Sequence, residues 1–252
     1  MDPAAHRSTA RLGPAVGVQP TAAIARLDPD ALHPARLAGT HAWAAWGLTA
    51  SADPRHLELA ISAPCAEGDV KELLDRLAAH LARPAWPATD PPPIELHGRM
   101  LRYLGDGQPA TIEILDLPWY QPASTVPPTG EAVTVDGWPV IDLAAAARQR
   151  FEIIVANGAT RRDVTDITRW VQLETTHAAA HPTAPTRIAE ILHRLRRDAP
   201  VAIAGIDLVI DHARGTYQQL VDPTSICEAL QTLTNELART SARRGGAVMS
   251  RR

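Results

Sequence analysis

The sequence predicts a mixed α/β protein of the α+β kind, with a small mixed sheet, flanking helices and a mainly helical C-terminal part. Three observations lead to this prediction. Residues 56–61, HLELAI, alternate between polar or small and larger apolar side chains, which is the period-two pattern of a half-buried strand. Residues 111–117, TIEILDL, repeat that pattern. From residue 142 onward, apolar residues recur at helical spacing.

In the first half of the chain, each segment can be assigned in order. Residues 21–27 predict a short helix, and an Ala/Trp-rich helix is expected from about Arg36 to Trp46. The acids of Asp69-Val-Lys-Glu72 indicate a capping box that starts a helix through Leu81. Residues 94–104 and 111–117 then form two strands of a hairpin that turns at residues 105–107.

In the second half, helices are expected to dominate. Val133 and Val135 begin a further sheet region, and Asp142 is a candidate N-cap for a helix that ends at Asn157-Gly158. Thr160 can cap the next helix. Further helices are predicted over residues 187–197 and from residue 222, whereas residues 201–210 fit a strand or a helix equally well.

Composition limits the domain count and the cellular setting. The 252 residues are 45% hydrophobic and carry a net charge of -3, which gives the whole chain no basic field for nucleic acid. Two distant cysteines suit a reducing cytoplasm, and no segment looks like a membrane span or signal peptide. We expect a cytoplasmic, bacterial protein with a flexible N-terminus (1–18), an α/β domain (19–130), a helical domain (131–240) and a frayed basic tail (241–252).

Two carboxylates on the predicted strands suggest chemistry. The alternation turns Glu58 to the face opposite Leu57 and Leu59, and Glu113 has the same position between Ile112 and Ile114. If the two strands are neighbours, both carboxylates could meet in one metal-sized space, and carboxylate oxygens are the ligands that Mg²⁺ prefers. Two exposed strand carboxylates without a function are the alternative interpretation.

The order of these features resembles the nucleotidyltransferase superfold, and most closely the AbiEii-like nucleotidyltransferases of abortive-infection and type IV toxin–antitoxin systems. Gly39-Thr40 stands at the family's Gly-Gly or Gly-Ser turn, His56-Leu57-Glu58 at its Asp-x-Asp motif, and Glu113 at its third carboxylate. The segment from Gly137 through Arg162-Asp163-Val-Thr-Asp166 resembles the family's basic helix followed by RD-x-x-D. The resemblance covers roughly residues 30–172.

The resemblance implies an Mg²⁺-dependent enzyme that transfers a nucleotide from a nucleoside triphosphate to an RNA such as a tRNA, and that acts as a toxin with a cognate antitoxin. Its metal ligands would be Glu58 and Glu113, with His56 beside them in the catalytic motif. The triphosphate would contact Gly39-Thr40 and Arg148 or Arg150. The residues Asp163 and Asp166 would then orient the basic side chain, although acids at a helix start are also favoured by the helix dipole.

The first acid position of the motif holds His56, and imidazole is a poor ligand for Mg²⁺. The nearest acid that could replace it is Asp53. A second interpretation therefore stays open, in which the chain keeps the scaffold, lacks the activity and serves as a binding or regulatory module.

Overall fold

A computed structural model describes residues 27–49, 55–61, 66–83, 93–104, 109–119, 134–135, 138–180, 187–216 and 222–249. Its strands are β1 (Arg36–Leu37), β2 (His56–Ala60), β3 (Ile94–His97), β4 (Met100–Tyr103), β5 (Ala110–Leu115), β6 (Thr134–Val135) and β7 (Trp138–Pro139). Its helices are α1 (Gly39–Ala45), α2 (Glu67–Leu81), α3 (Leu143–Asn157), α4 (Arg161–Ala180), α5 (Arg187–Asp198), α6 (Pro200–Thr216) and α7 (Pro223–Met249). The predicted α+β class with a mixed sheet and flanking helices is confirmed.

The main sheet has five strands in the order β1-β2-β5-β4-β3. Among the described strands of this sheet, β2 and β5 are the parallel pair, and their register pairs Glu58 with Glu113. Parallel neighbours need a crossover connection, and α2 lies between them in the chain. One face of the sheet is apolar and buried, through Leu57, Leu59 and Ile112, whereas Glu58 and Glu113 lie half-buried on the other.

Several predicted boundaries need correction. The helix expected from Arg36 begins only at Gly39, because Arg36 and Leu37 pair with β2 as an edge strand. Residues 94–104 do not form one strand but a hairpin of β3 and β4 that turns at Gly98, where φ is +57°. Glycine adopts this left-handed conformation without the steric cost of a Cβ.

Helix starts and ends also differ in places from those expected. The helix α2 begins at Glu67 rather than Asp69, because Asp69 lies one turn in and accepts from the Ala66 N–H at 3.2 Å. The ambiguous residues 201–210 are helical, within α6. The tail expected to fray from residue 241 continues α7 to Met249. Residues 1–18, residues 21–26 of the helix predicted over 21–27, Asp53 and the turn at 105–107 lie outside the described residues.

The predicted helix from Asp142 to Asn157 is confirmed. Asp142 accepts from the Ala145 N–H at 3.0 Å, which satisfies one of the open donors of the first turn. At the other end Gly158 follows the last helical residue with φ +83°. These two residues therefore fix the length of α3.

Aromatic rings join the helices to one another around a continuous buried core. The ring centroids of Trp43 in α1 and Trp170 in α4 are 6.2 Å apart, and Phe151 in α3 lies at the same distance from Trp170. The helices α3 and α6 approach closely at Gly205, where a Cβ would lie 2.5 Å from the Phe151 carbonyl oxygen. None of the described helices is both long and apolar enough to cross a membrane.

Candidate functional site

The turn that opens α1 is occupied by side chains of the protein itself. The Gly39 N–H donates to Gln149 Oε1 at 2.9 Å, and the Thr40 N–H donates to Glu58 Oε2 at 3.1 Å. These N–H groups belong to the first turn of a helix, which has no intrahelical partners for them. Glu58 therefore caps α1 with its carboxylate.

This contact depends on glycine at residue 39. Gly39 has φ +53°, and a Cβ built there would lie 1.7 Å from Glu58 Oε2. Any other residue would be strained in its backbone and would displace the carboxylate. The small-residue turn found in the sequence is thus required by the approach of Glu58.

The second predicted carboxylate, Glu113, has a different partner. Glu58 and Glu113 are register partners on β2 and β5, so both lie on the same face of the sheet. However, Glu113 Oε2 lies 3.1 Å from His56 Nε2, and the two side chains are 37% and 35% exposed. The structure brings His56, Glu58 and Glu113 together on one face, with each carboxylate in contact with a group of the protein.

The predicted acids of α4 hold Arg150. Its Nη2 lies 2.7 Å from Asp163 Oδ1 and 3.2 Å from Asp166 Oδ2, and all three side chains are at most 15% exposed. Asp163 also accepts from the Thr160 N–H at 2.8 Å, so it caps α4 as well. The resemblance placed Arg148 or Arg150 with these two acids, and in the structure it is Arg150 that contacts both. The arginine is bound between α3 and α4 by protein carboxylates.

Burial governs the ionisation of Asp166. Loss of solvent raises the pKa of its carboxyl above the ordinary value of 3.8. The charges of Arg150 and Arg162 and a hydrogen bond from Thr49 act in the opposite direction but do not cancel this effect. Thr49 follows α1 closely, so Asp166 links α4 to the segment that precedes β2.

Arg148, the other predicted triphosphate contact, lies elsewhere. Its Nε donates to Glu152 Oε1 at 2.8 Å, and its guanidinium carbon lies 4.2 Å from the centre of the Trp119 ring. It lines a cleft between α3 and α5 whose lining includes neither Gly39 nor the sheet carboxylates. Arg148 and Arg150 are therefore assigned to different places.

Sequence reasoning missed Gln149. It is 5% exposed and lies between two arginines that attracted attention by their charge. Its partner, Gly39, is 110 residues away in the chain. Periodicity and motif spacing report on near neighbours, so a contact of this range leaves no local signal. The one hint is a polar amide among the buried alanines of α3.

The donor set is a poor match for the magnesium centre that the resemblance implies. Imidazole is a weak ligand for Mg²⁺, and the Glu58 carboxylate is turned onto the N–H groups of α1. In the described part of the chain, no three His, Cys, Asp or Glu side chains are arranged to hold a metal ion. Comparisons of the chain with protein-family models, curated proteins and solved structures found no match.

Proposed function

We propose that the chain is a nucleotidyltransferase-like scaffold that serves as a binding or regulatory module and does not transfer nucleotides. The observation that carries this proposal is the hydrogen bond from the Thr40 N–H to Glu58 Oε2 at 3.1 Å. In the transferase interpretation, this N–H would face a triphosphate and this carboxylate a metal ion. In this structure the N–H and the carboxylate are instead hydrogen-bonded to each other.

The surrounding charges support the same conclusion. Glu113 contacts His56 rather than standing open to a cation, and Arg150 is shared between Asp163 and Asp166. To act in catalysis, Glu58 and Arg150 would each have to leave a protein partner. Charge-assisted hydrogen bonds of this kind contribute about 1.5–3 kcal/mol each. A triphosphate and its metal would have to replace those bonds.

A second candidate is the Mg²⁺-dependent transferase, with a nucleoside triphosphate as donor, an RNA such as a tRNA as acceptor and an antitoxin as partner. The register of Glu58 opposite Glu113 on parallel strands favours it, because a rotation of both side chains would aim two carboxylates at one space. This candidate predicts growth arrest when the protein is expressed without its antitoxin.

One assay separates the two candidates. Purified protein is incubated with each α-labelled nucleoside triphosphate, Mg²⁺ and total RNA, and the label in RNA is compared between the wild type and Glu58→Gln. We expect equal, background incorporation, and calorimetric titration with each triphosphate should show no Mg²⁺-dependent binding. Incorporation by the wild type that Glu58→Gln abolishes, with an unchanged circular dichroism spectrum, would establish the transferase and refute our proposal.

A further inference from the structure

A second site lies apart from the Gly39 turn, in the cleft that Arg148 lines. The cleft has a volume of about 160 Å³ and lies between the N-terminal turns of α3, the C-terminal end of α5 and Trp119. Arg148 and Arg194 approach it from α3 and α5, respectively. Two guanidinium groups from different helices therefore meet at one concave surface, beside the carboxylates of Asp142 and Asp198.

Arg148 is held in place before any ligand arrives. Its Nε is bound to Glu152 at 2.8 Å, its planar head lies over the Trp119 ring, and its side chain is only 20% exposed. Both contacts restrict the guanidinium, so little conformational entropy remains to be lost on binding. Its other N–H donors are available in addition to the one that Glu152 uses.

The carboxylates at the cleft are already engaged. Asp142 Oδ1 accepts from the Ala145 N–H at 3.0 Å, and both oxygens of Asp198 accept from Arg197, at 2.6 and 2.8 Å. These bonds from Arg197 are the main reason that the pKa of Asp198 lies below its ordinary value, and the charges of Arg194 and Arg148 also lower it. Asp198 is thus ionised and satisfied at neutral pH.

Arg194 is bound more loosely than Arg148. Its Nη1 lies 3.4 Å from Asp142 Oδ1, a long contact, and its side chain is 48% exposed. A guanidinium carries five N–H donors, so the two arginines bring more donors to the cleft than its carboxylates can accept. The cleft therefore suits a ligand that supplies several hydrogen-bond acceptors.

The volume of the cleft limits the ligand to a small molecule or a single chemical group. A cavity of about 150 Å³ accommodates a molecule of the size of benzene, whereas sites for drug-sized ligands start at about 300 Å³. We propose that the cleft binds a phosphate group, either free or as the end of a small phosphomonoester, between Arg148 and Arg194. A tetrahedral anion has enough acceptor oxygens to bind donors of both guanidinium groups at once, through charge-assisted hydrogen bonds. This site does not depend on the function proposed above.

The test is a calorimetric titration of the full chain with inorganic phosphate and, separately, with glycerol 3-phosphate, in a phosphate-free buffer. We expect saturable binding by the wild type and a loss of about tenfold or more in affinity for Arg148→Gln and for Arg194→Gln. Arg214→Gln removes an exposed arginine of α6 that does not line the cleft and should bind as the wild type does. Tighter binding of glycerol 3-phosphate identifies an organic phosphomonoester, and equal or weaker binding identifies free phosphate.

Two results would overturn the proposal. The first is the absence of saturable binding of either anion by the wild type at millimolar concentrations. The second is wild-type affinity in both Arg148→Gln and Arg194→Gln, since the anion would then bind elsewhere. Arg194 is half-exposed, so its substitution should leave the fold intact and keep the test valid even if Arg148→Gln is unstable. Glu58→Gln should bind phosphate as the wild type does. A failure of the phosphate proposal can therefore be distinguished from a failure of the function proposed above, which the nucleotidyl-transfer assay tests with the same variant.

Discussion

Two charged clusters of this protein look alike in distance and differ in environment. His56 and Glu113 are 3.1 Å apart on the open face of the sheet, and each is more than one-third exposed. Arg150 is 2.7 Å from Asp163 and 3.2 Å from Asp166, and these side chains are 15%, 8% and 6% exposed. Judged by these distances alone, the two clusters would be expected to contribute about equally to stability.

The difference in solvent exposure gives the two clusters different contributions to stability. Water screens the exposed pair, and pairs of this kind stabilise a fold by about 0–1 kcal/mol. The buried carboxylates have lost their hydration, and the raised pKa of Asp166 reports that loss despite a guanidinium within hydrogen-bond distance. We infer that the cluster of Arg150, Asp163 and Asp166 is required for folding, whereas the pair of His56 and Glu113 can change without loss of the fold.

Removal of Arg150 should have the largest effect on stability. Arg150→Met keeps an unbranched apolar stem but removes the guanidinium, which leaves Asp163 and Asp166 buried without their shared cation. Breaking one partner out of a buried charge cluster costs about 3–5 kcal/mol, and we expect a loss of this size in the free energy of unfolding at neutral pH. Urea denaturation followed by circular dichroism measures it.

The pH dependence of this variant checks the mechanism. An acid whose folded-state pKa is raised binds more protons when folded, so the penalty of its ionised form is present at high pH and is relieved as the pH falls. The deficit of Arg150→Met should therefore shrink as the pH is lowered toward 3.8, the ordinary value for Asp166. The matched control is Arg162→Met. Arg162 Nε lies 3.7 Å from Asp166 Oδ2 and its side chain is 51% exposed, so its loss should lower the free energy of unfolding by at most about 1 kcal/mol. Equal losses for both arginines would contradict this explanation.

Gly39→Ala should have the next largest effect, because it disturbs the contact that joins the sheet face to α1. A left-handed conformation costs a non-glycine residue about 1–2 kcal/mol, and the displaced Glu58 carboxylate loses a hydrogen bond of about 1.5–3 kcal/mol. Together these terms predict a loss of roughly 3–4 kcal/mol in the free energy of unfolding.

A double-mutant cycle separates the two terms. In a Glu58→Ala background the carboxylate is absent, so Gly39→Ala should cost only the conformational part, about 1–2 kcal/mol. Additive losses in Gly39→Ala, Glu58→Ala and the double variant would mean that Glu58 does not contact residue 39. The capping function that we assign to Glu58 would then be wrong.

Local patterns were sufficient to predict most elements of the fold. Asp142 and Gly158 are capping residues with strong preferences, and they fixed α3 correctly. The alternation in residues 56–61 and 111–117 predicted both central strands. The errors occurred where tertiary pairing decides the structure. Arg36 and Leu37 became a strand through contacts with β2, and Gly98 split one predicted strand into two.

The site was harder to predict than the fold. Motif positions selected Glu58 and Glu113 as metal ligands and Asp163 and Asp166 as site acids, and that role stays a prediction. In the structure, each of these carboxylates contacts a group of the protein. The identity of each neighbour depends on side-chain direction and on contacts between distant segments, as with Gln149 and Gly39. Arg148 and Arg150, two residues apart on one helix, point to different partners, and the sequence left that choice open.

The smallest effect on stability is expected at the pair of His56 and Glu113 on the sheet. Glu113→Gln keeps the shape of the side chain and removes its charge, and we expect a change of at most about 1 kcal/mol in the free energy of unfolding. His56→Gln and the double variant complete a cycle, whose coupling energy should be at most about 1 kcal/mol, because the pair is exposed. A loss comparable with that of Arg150→Met would mean that the open face is also structural. If the loss of stability is small, a binding defect in these variants can be assigned to the altered surface and not to unfolding. His56 and Glu113 are therefore the best positions at which to test what this surface binds.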